Sequence, residues 1–70
     1  MREEKKRLVI NILKKNTDGL TIVEIANILK ISRNTVAVAL AELNGAELIR
    51  IRPVGIAKLH YWIGEGGKKQ

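Results

Sequence analysis

The sequence predicts an α+β fold, three helices followed by a two-stranded β-hairpin. Three observations carry that prediction. Apolar residues recur at helical spacing as far as Asn44. Two N-cap signals, Thr21 and Ser32, divide the helical part. After Gly45 the period changes to alternation, first in Leu48-Ile49-Arg50-Ile51-Arg52 and again in Lys58-Leu59-His60-Tyr61-Trp62-Ile63.

Residues 3–15 read as the first helix, with Leu8, Val9, Ile12 and Leu13 as its apolar stripe and Ile10 off that stripe. Asn16-Thr17-Asp18-Gly19 is a turn cluster, and Leu20 is placed to form a short strand. Thr21-Ile22-Val23-Glu24 is a capping box, which explains Glu24 by its spacing rather than by catalysis. The second helix then runs from Ile22 to Leu29, with Ile22, Ile25, Ala26 and Leu29 as its apolar face. Lys30-Ile31 is a tight connection, and the third helix runs from Arg33 to Asn44 with Val36, Leu40 and Leu43 inward. Gly45 sits where a C′ glycine belongs. Pro53 to Ala57 holds the turn formers of the hairpin. Alternation puts Ile49, Ile51, Leu59, Tyr61 and Ile63 inside, and Arg50, Arg52, Lys58, His60 and Trp62 outside.

With 70 residues the chain forms one domain, 1–63, followed by a Gly/Lys-rich tail, 64–70, expected to be flexible. A domain this small has no room for a large enclosed site, and no small-molecule substrate is evident. The net charge is +6 and the isoelectric point about 10.1, which favours an anionic partner. Cysteine is absent, which excludes disulfides and thiolate chemistry. The apolar runs are far shorter than the ~20 residues that span a bilayer, and the charged start leads into no signal peptide. The expectation is a cytoplasmic protein without a membrane partner.

The order helix, short strand, helix, turn, helix, hairpin, with a close connection at Lys30-Ile31-Ser32, resembles the winged helix-turn-helix family of prokaryotic transcription regulators. The residues that carry the resemblance are Leu20-Thr21-Ile22-Val23-Glu24-Ile25-Ala26, Leu29 to Val36, Leu40-Ala41-Glu42-Leu43 and Gly45 to Ile49. The hairpin Val54-Gly55 to Lys58-Leu59-His60-Tyr61 is similar to those of archaeal members. The resemblance implies a winged fold and a DNA-binding regulator, with the third helix in the major groove of double-stranded DNA.

On that reading the first turn of the third helix, Ser32, Arg33, Asn34 and Thr35, meets base edges and phosphates. Arg33 suits guanine or phosphate and Asn34 suits adenine. At 100° per residue the outward face continues through Ala37, Val38 and Ala41, which offer thymine-methyl contacts and few hydrogen bonds. Arg50, Arg52, Lys58 and His60 are expected to converge on one face of the hairpin, with Lys14, Lys15 and Lys30 adding backbone contacts. Leu8, Ile10 and Trp62 are candidates for a homodimer surface.

One histidine without cysteine makes no metal site, and no cofactor is expected. Neither a Gly-rich phosphate loop nor a nucleophile–base set is present, so enzyme readings fail. The rival reading is a protein–protein interaction module of a larger replication or transcription assembly, motivated by the Ala/Val face. Single-strand or RNA binding is disfavoured by an aromatic content of 3%.

Overall fold

The computed structural model describes residues 2–64. Of the expected tail, only Gly64 falls within the described residues. The elements are α1 (Arg2–Lys15), α2 (Ile22–Leu29), α3 (Arg33–Gly45), β1 (Ile49–Val54) and β2 (Ala57–Trp62). The expected architecture, three helices and an antiparallel hairpin, is the observed one.

Helix α1 buries Val9 and Leu13 fully. Those two lie about 40° apart on a helical wheel, so Ile10 and Ile12 flank them at about 80° on either side, and Leu8 falls about 120° away. Accordingly Ile10 packs against the core and Leu8 is 42% exposed. The expectation that Leu8 lies on the stripe and Ile10 off it is corrected by this geometry.

Helix α2 begins as its sequence dictates. The Glu24 amide donates to Thr21 Oγ1 at 3.2 Å, and the Thr21 amide donates to Glu24 Oε1 at 2.9 Å. The helix ends at Lys30, which adopts φ 60°, ψ 43° and donates its amide to the Ala26 carbonyl. Ile31 donates to the same carbonyl, and the chain turns directly into α3.

Helix α3 faces the interior with Val36, Ala39, Leu40 and Leu43. It ends one residue later than expected, and Gly45 is its last helical residue, not its C′ residue. The left-handed position falls on Glu47, φ 61°. Leu48 donates to the Leu43 carbonyl and Glu47 to that of Asn44, the paired bonds of a Schellman motif with Glu47 at C′.

In the hairpin, the register pairs Ile49 with Trp62, Ile51 with His60, Pro53 with Lys58, and Val54 with Ala57. Only Gly55 and Ile56 remain in the loop, and Gly55 takes φ +63°. Glycine at the first position of a two-residue loop is the II′ pattern. The strands therefore continue through Pro53 and up to Ala57, which were expected to lie in the turn. Pro53 is tolerated because hydrogen-bonded and non-bonded pairs alternate from the turn, which puts Pro53 and Lys58 in a non-bonded pair.

On the free edge of β2, Leu20 and His60 exchange both backbone hydrogen bonds, at 3.1 and 2.8 Å. Where a short strand was expected, Leu20 thus makes a single-residue β-bridge to β2. The core is shared by α1 (Val9, Leu13), Leu20, α2 (Ile25, Ala26), α3 and Ile49. It seats the three helices on one face of the hairpin.

Candidate nucleic-acid interface

The first turn of α3 is held by its own side chains. Ser32 Oγ accepts from the Thr35 amide at 3.0 Å and lies 2.8 Å from Thr35 Oγ1. Two hydroxyls carry two protons, and the contact between them uses one. The pair therefore keeps a donor for an outside acceptor while capping the helix. Ser32, Arg33 and Asn34 are exposed, and Thr35 is half-buried. No acidic residue stands in this first turn, whereas α2 carries Glu24 in its own. The partial positive charge of the α2 start is met internally, and that of the α3 start faces outward beside Arg33.

Beyond the first turn, Val38 and Ala41 are exposed and Ala37 is half-buried. The outward face of α3 is thus apolar over its middle, as its spacing predicts.

The hairpin divides its charges differently from expectation. Residues paired across an antiparallel ribbon share a face. Arg50, Arg52, Leu59 and Tyr61 therefore lie on the outer face, and Ile49, Ile51, Pro53, Lys58, His60 and Trp62 on the other. His60 is 3% exposed and is not an outward cation. Its Nδ1 lies 2.9 Å from the Leu20 carbonyl, which can only accept, so Nδ1 carries the hydrogen. Lys58 remains exposed but on the face opposite Arg50 and Arg52. The expected convergence of four basic groups reduces to Arg50 and Arg52, with Lys58 behind them near the tip.

Tyr61, Leu59 and Ile63 were expected inside and Trp62 outside. Instead, Trp62 packs against the core with Lys14 Nζ 5.2 Å from its ring centroid. Tyr61 stands across from Arg50 on the outer face and covers the turn at Gly19, where an added Cβ would come within 2.8 Å of its ring. Ile51 is 38% exposed, although it shares a face with Ile49. The sequence reading missed Tyr61 as a neighbour of the arginines. The two-residue loop at Gly55 was the signal that would have set the register. Ile10 and Trp62 both pack against the core, which leaves Leu8 as the exposed member of the expected dimer surface.

Two helices joined by a tight left-handed turn, the second with an open cationic start, and a hairpin packed behind them define a winged helix-turn-helix domain. Comparison with known families agrees: residues 2–50 match the winged helix-turn-helix DNA-binding family. The chain belongs to that family and is a DNA-binding winged helix-turn-helix domain. The match spans the three helices and the first residues of β1, and the wing beyond Arg50 lies outside it. No curated protein matches the sequence. Among the described residues no helix is long and apolar enough to cross a membrane.

Proposed function

We propose that this domain is a transcription regulator that binds double-stranded DNA with α3 in the major groove. The observation that carries this reading is the acid-free first turn of α3, where Ser32, Arg33, Asn34 and Thr35 surround an outward helix start. A major groove ~12 Å wide admits a helix, and residues at its start reach base edges. Arg33 suits guanine or a phosphate, Asn34 suits adenine, and the Ser32/Thr35 hydroxyl pair gives its spare proton to a phosphate. Ala37, Val38 and Ala41 let the backbone approach and touch thymine methyls, so sequence preference is modest. Arg50 and Arg52 meet the backbone or the minor groove on the flanking turn. His60 is withdrawn from this set by its burial, and Lys14 by its seat on Trp62.

The test is duplex binding across a range of salt concentrations. Binding should weaken linearly on logarithmic axes with a slope of about −0.9 per phosphate neutralised. Arg33→Ala with Arg52→Ala should lower the slope's magnitude by about two. Absence of salt-sensitive duplex binding at micromolar protein sinks the proposal.

A second reading, a protein-interaction module, is favoured by Val38, an apolar side chain 39% exposed in the middle of α3. A partner lost on Val38→Asp but retained on Arg52→Ala would select it.

A further inference from the structure

The end of the wing carries an apolar group that neither the core nor the charge pattern uses. Ile56 is fully exposed, at 107%, and Val54 is half exposed, at 50%. They sit at a tip with no slack, because Gly55 and Ile56 alone join the paired residues Val54 and Ala57. Proline at 53 fixes its own φ, and the β-branched Val54 and Ile56 are stiff at χ1. A mobile loop loses little by exposing an isoleucine; a rigid one presents it continuously.

Charge around this tip has one sign. No carboxylate occurs from Leu48 to Gly64, and the cations nearest the tip are Arg52 and Lys58. They lie on opposite faces of the ribbon, since Arg52 pairs with Leu59 and Lys58 with Pro53. A flat anionic surface is met best by cations on one face. Cations on both faces of a narrow ribbon suit two facing rows of phosphates, which is what a groove of duplex DNA offers.

We propose that the wing tip is a wedge: Ile56, supported by Val54, enters the minor groove, unstacks a base step and bends the duplex. Arg52 and Lys58 hold the phosphates on either side. The minor groove is ~6 Å wide, narrower than a two-stranded ribbon with its side chains, so entry requires the groove to open. Partial unstacking by an apolar side chain opens it and kinks the helix away from the protein. Pyrimidine–purine steps unstack most readily, so the wedge favours TA or CA steps. The wing then reads deformability, which complements an α3 face poor in hydrogen-bonding groups.

The inference rests on the DNA-binding reading above, and the experiment separates the two. A duplex with 2-aminopurine at a central TA step and a dye pair at its ends is titrated with the wild-type protein and with Ile56→Ser. The wild type should brighten the 2-aminopurine and shorten the end-to-end distance as a bend of about 20–90° does. Both signals should vanish in Ile56→Ser while binding persists. A central mismatch removes part of the unstacking cost, so the wild type should prefer the mismatched duplex by about 10-fold or more. That ratio should fall to about one in Ile56→Ser. Arg52→Ala with Lys58→Ala should weaken both duplexes alike and leave the ratio standing. Because Ile56 touches no core residue, circular dichroism should show Ile56→Ser folded as the wild type. Binding without bending, or bending retained in Ile56→Ser, overturns the wedge and leaves DNA binding intact. Self-association lost in Ile56→Ser, without a bend, would seat a second copy on the tip and also overturn the wedge. Failure of the wild type to bind any duplex overturns both readings.

Discussion

Among the described residues, two that are not glycine stand in the left-handed region, Lys30 at φ 60° and Glu47 at φ 61°. For an L-residue that conformation costs about 1–2 kcal/mol, and glycine relieves it at the expense of a more flexible unfolded chain, about 0.4–1 kcal/mol. Both Lys30→Gly and Glu47→Gly should therefore stabilise the domain, by about 0.5–1 kcal/mol each. The two differ in charge. Lys30 follows the C-terminus of α2, where a cation is favourable, and Glu47 follows that of α3, where an anion is not. Glu47→Gly should give the larger gain, and chemical denaturation of the two variants would check the order. His60 is the third residue whose role is set by its surroundings. It ties β2 to Leu20, the residue before the α2 cap, through both backbone bonds and Nδ1. Imidazole nitrogen chemical shifts should report a hydrogen on Nδ1. His60→Ala should cost about 2–4 kcal/mol by emptying a buried site and removing that bond. A cost below 1 kcal/mol would contradict the tether.

At the scale of elements, the two N-caps provide an internal control. Thr21 and Ser32 perform the same local task, each accepting from the amide three residues on. Replacing either by alanine should cost about 1 kcal/mol of stability. Only Ser32 lies on the proposed DNA face, so Ser32→Ala should also weaken duplex binding severalfold, while Thr21→Ala should leave it unchanged. Equal losses of binding would show that the caps act on DNA through stability alone. These caps also explain which elements were legible in the sequence. Helix α2 was read to the residue and the start of α3 likewise, because both are written in contacts three residues apart. The facing of β2 was not, because Leu59, Tyr61 and Ile63 form as good an apolar set as any. The choice is made by a two-residue loop and by a hydrogen bond between His60 and Leu20, which are 40 residues apart. A one-residue change in facing moved His60 and Trp62 inward and placed Tyr61 beside Arg50. The α3 half of the candidate site was thus readable from local signals. The wing half depended on long-range register.

For the whole molecule, small size links binding to stability. A domain within a chain of 70 residues buries about 60% of its unfolded surface and works with a narrow margin. A ligand that binds only the folded state should then shift its melting visibly. Free duplex at tenfold its Kd adds about 1.4 kcal/mol, since the gain is RT ln(1 + [L]/Kd). For a domain of this length that corresponds to a rise in Tm of about 6–11 °C. The rise should be electrostatic in origin, because the chain carries 13 Lys and Arg against 7 Asp and Glu. It should therefore shrink steeply between ~50 and ~200 mM salt as Kd climbs, whereas the Tm of the free protein should move little. Arg33→Ala with Arg52→Ala should abolish most of the rise without lowering the free Tm, because both side chains are exposed and belong to no part of the core. A free Tm that fell with the double substitution would mean that these arginines hold the fold. A duplex-induced rise insensitive to salt would mean that DNA is held by contacts other than those to its phosphates.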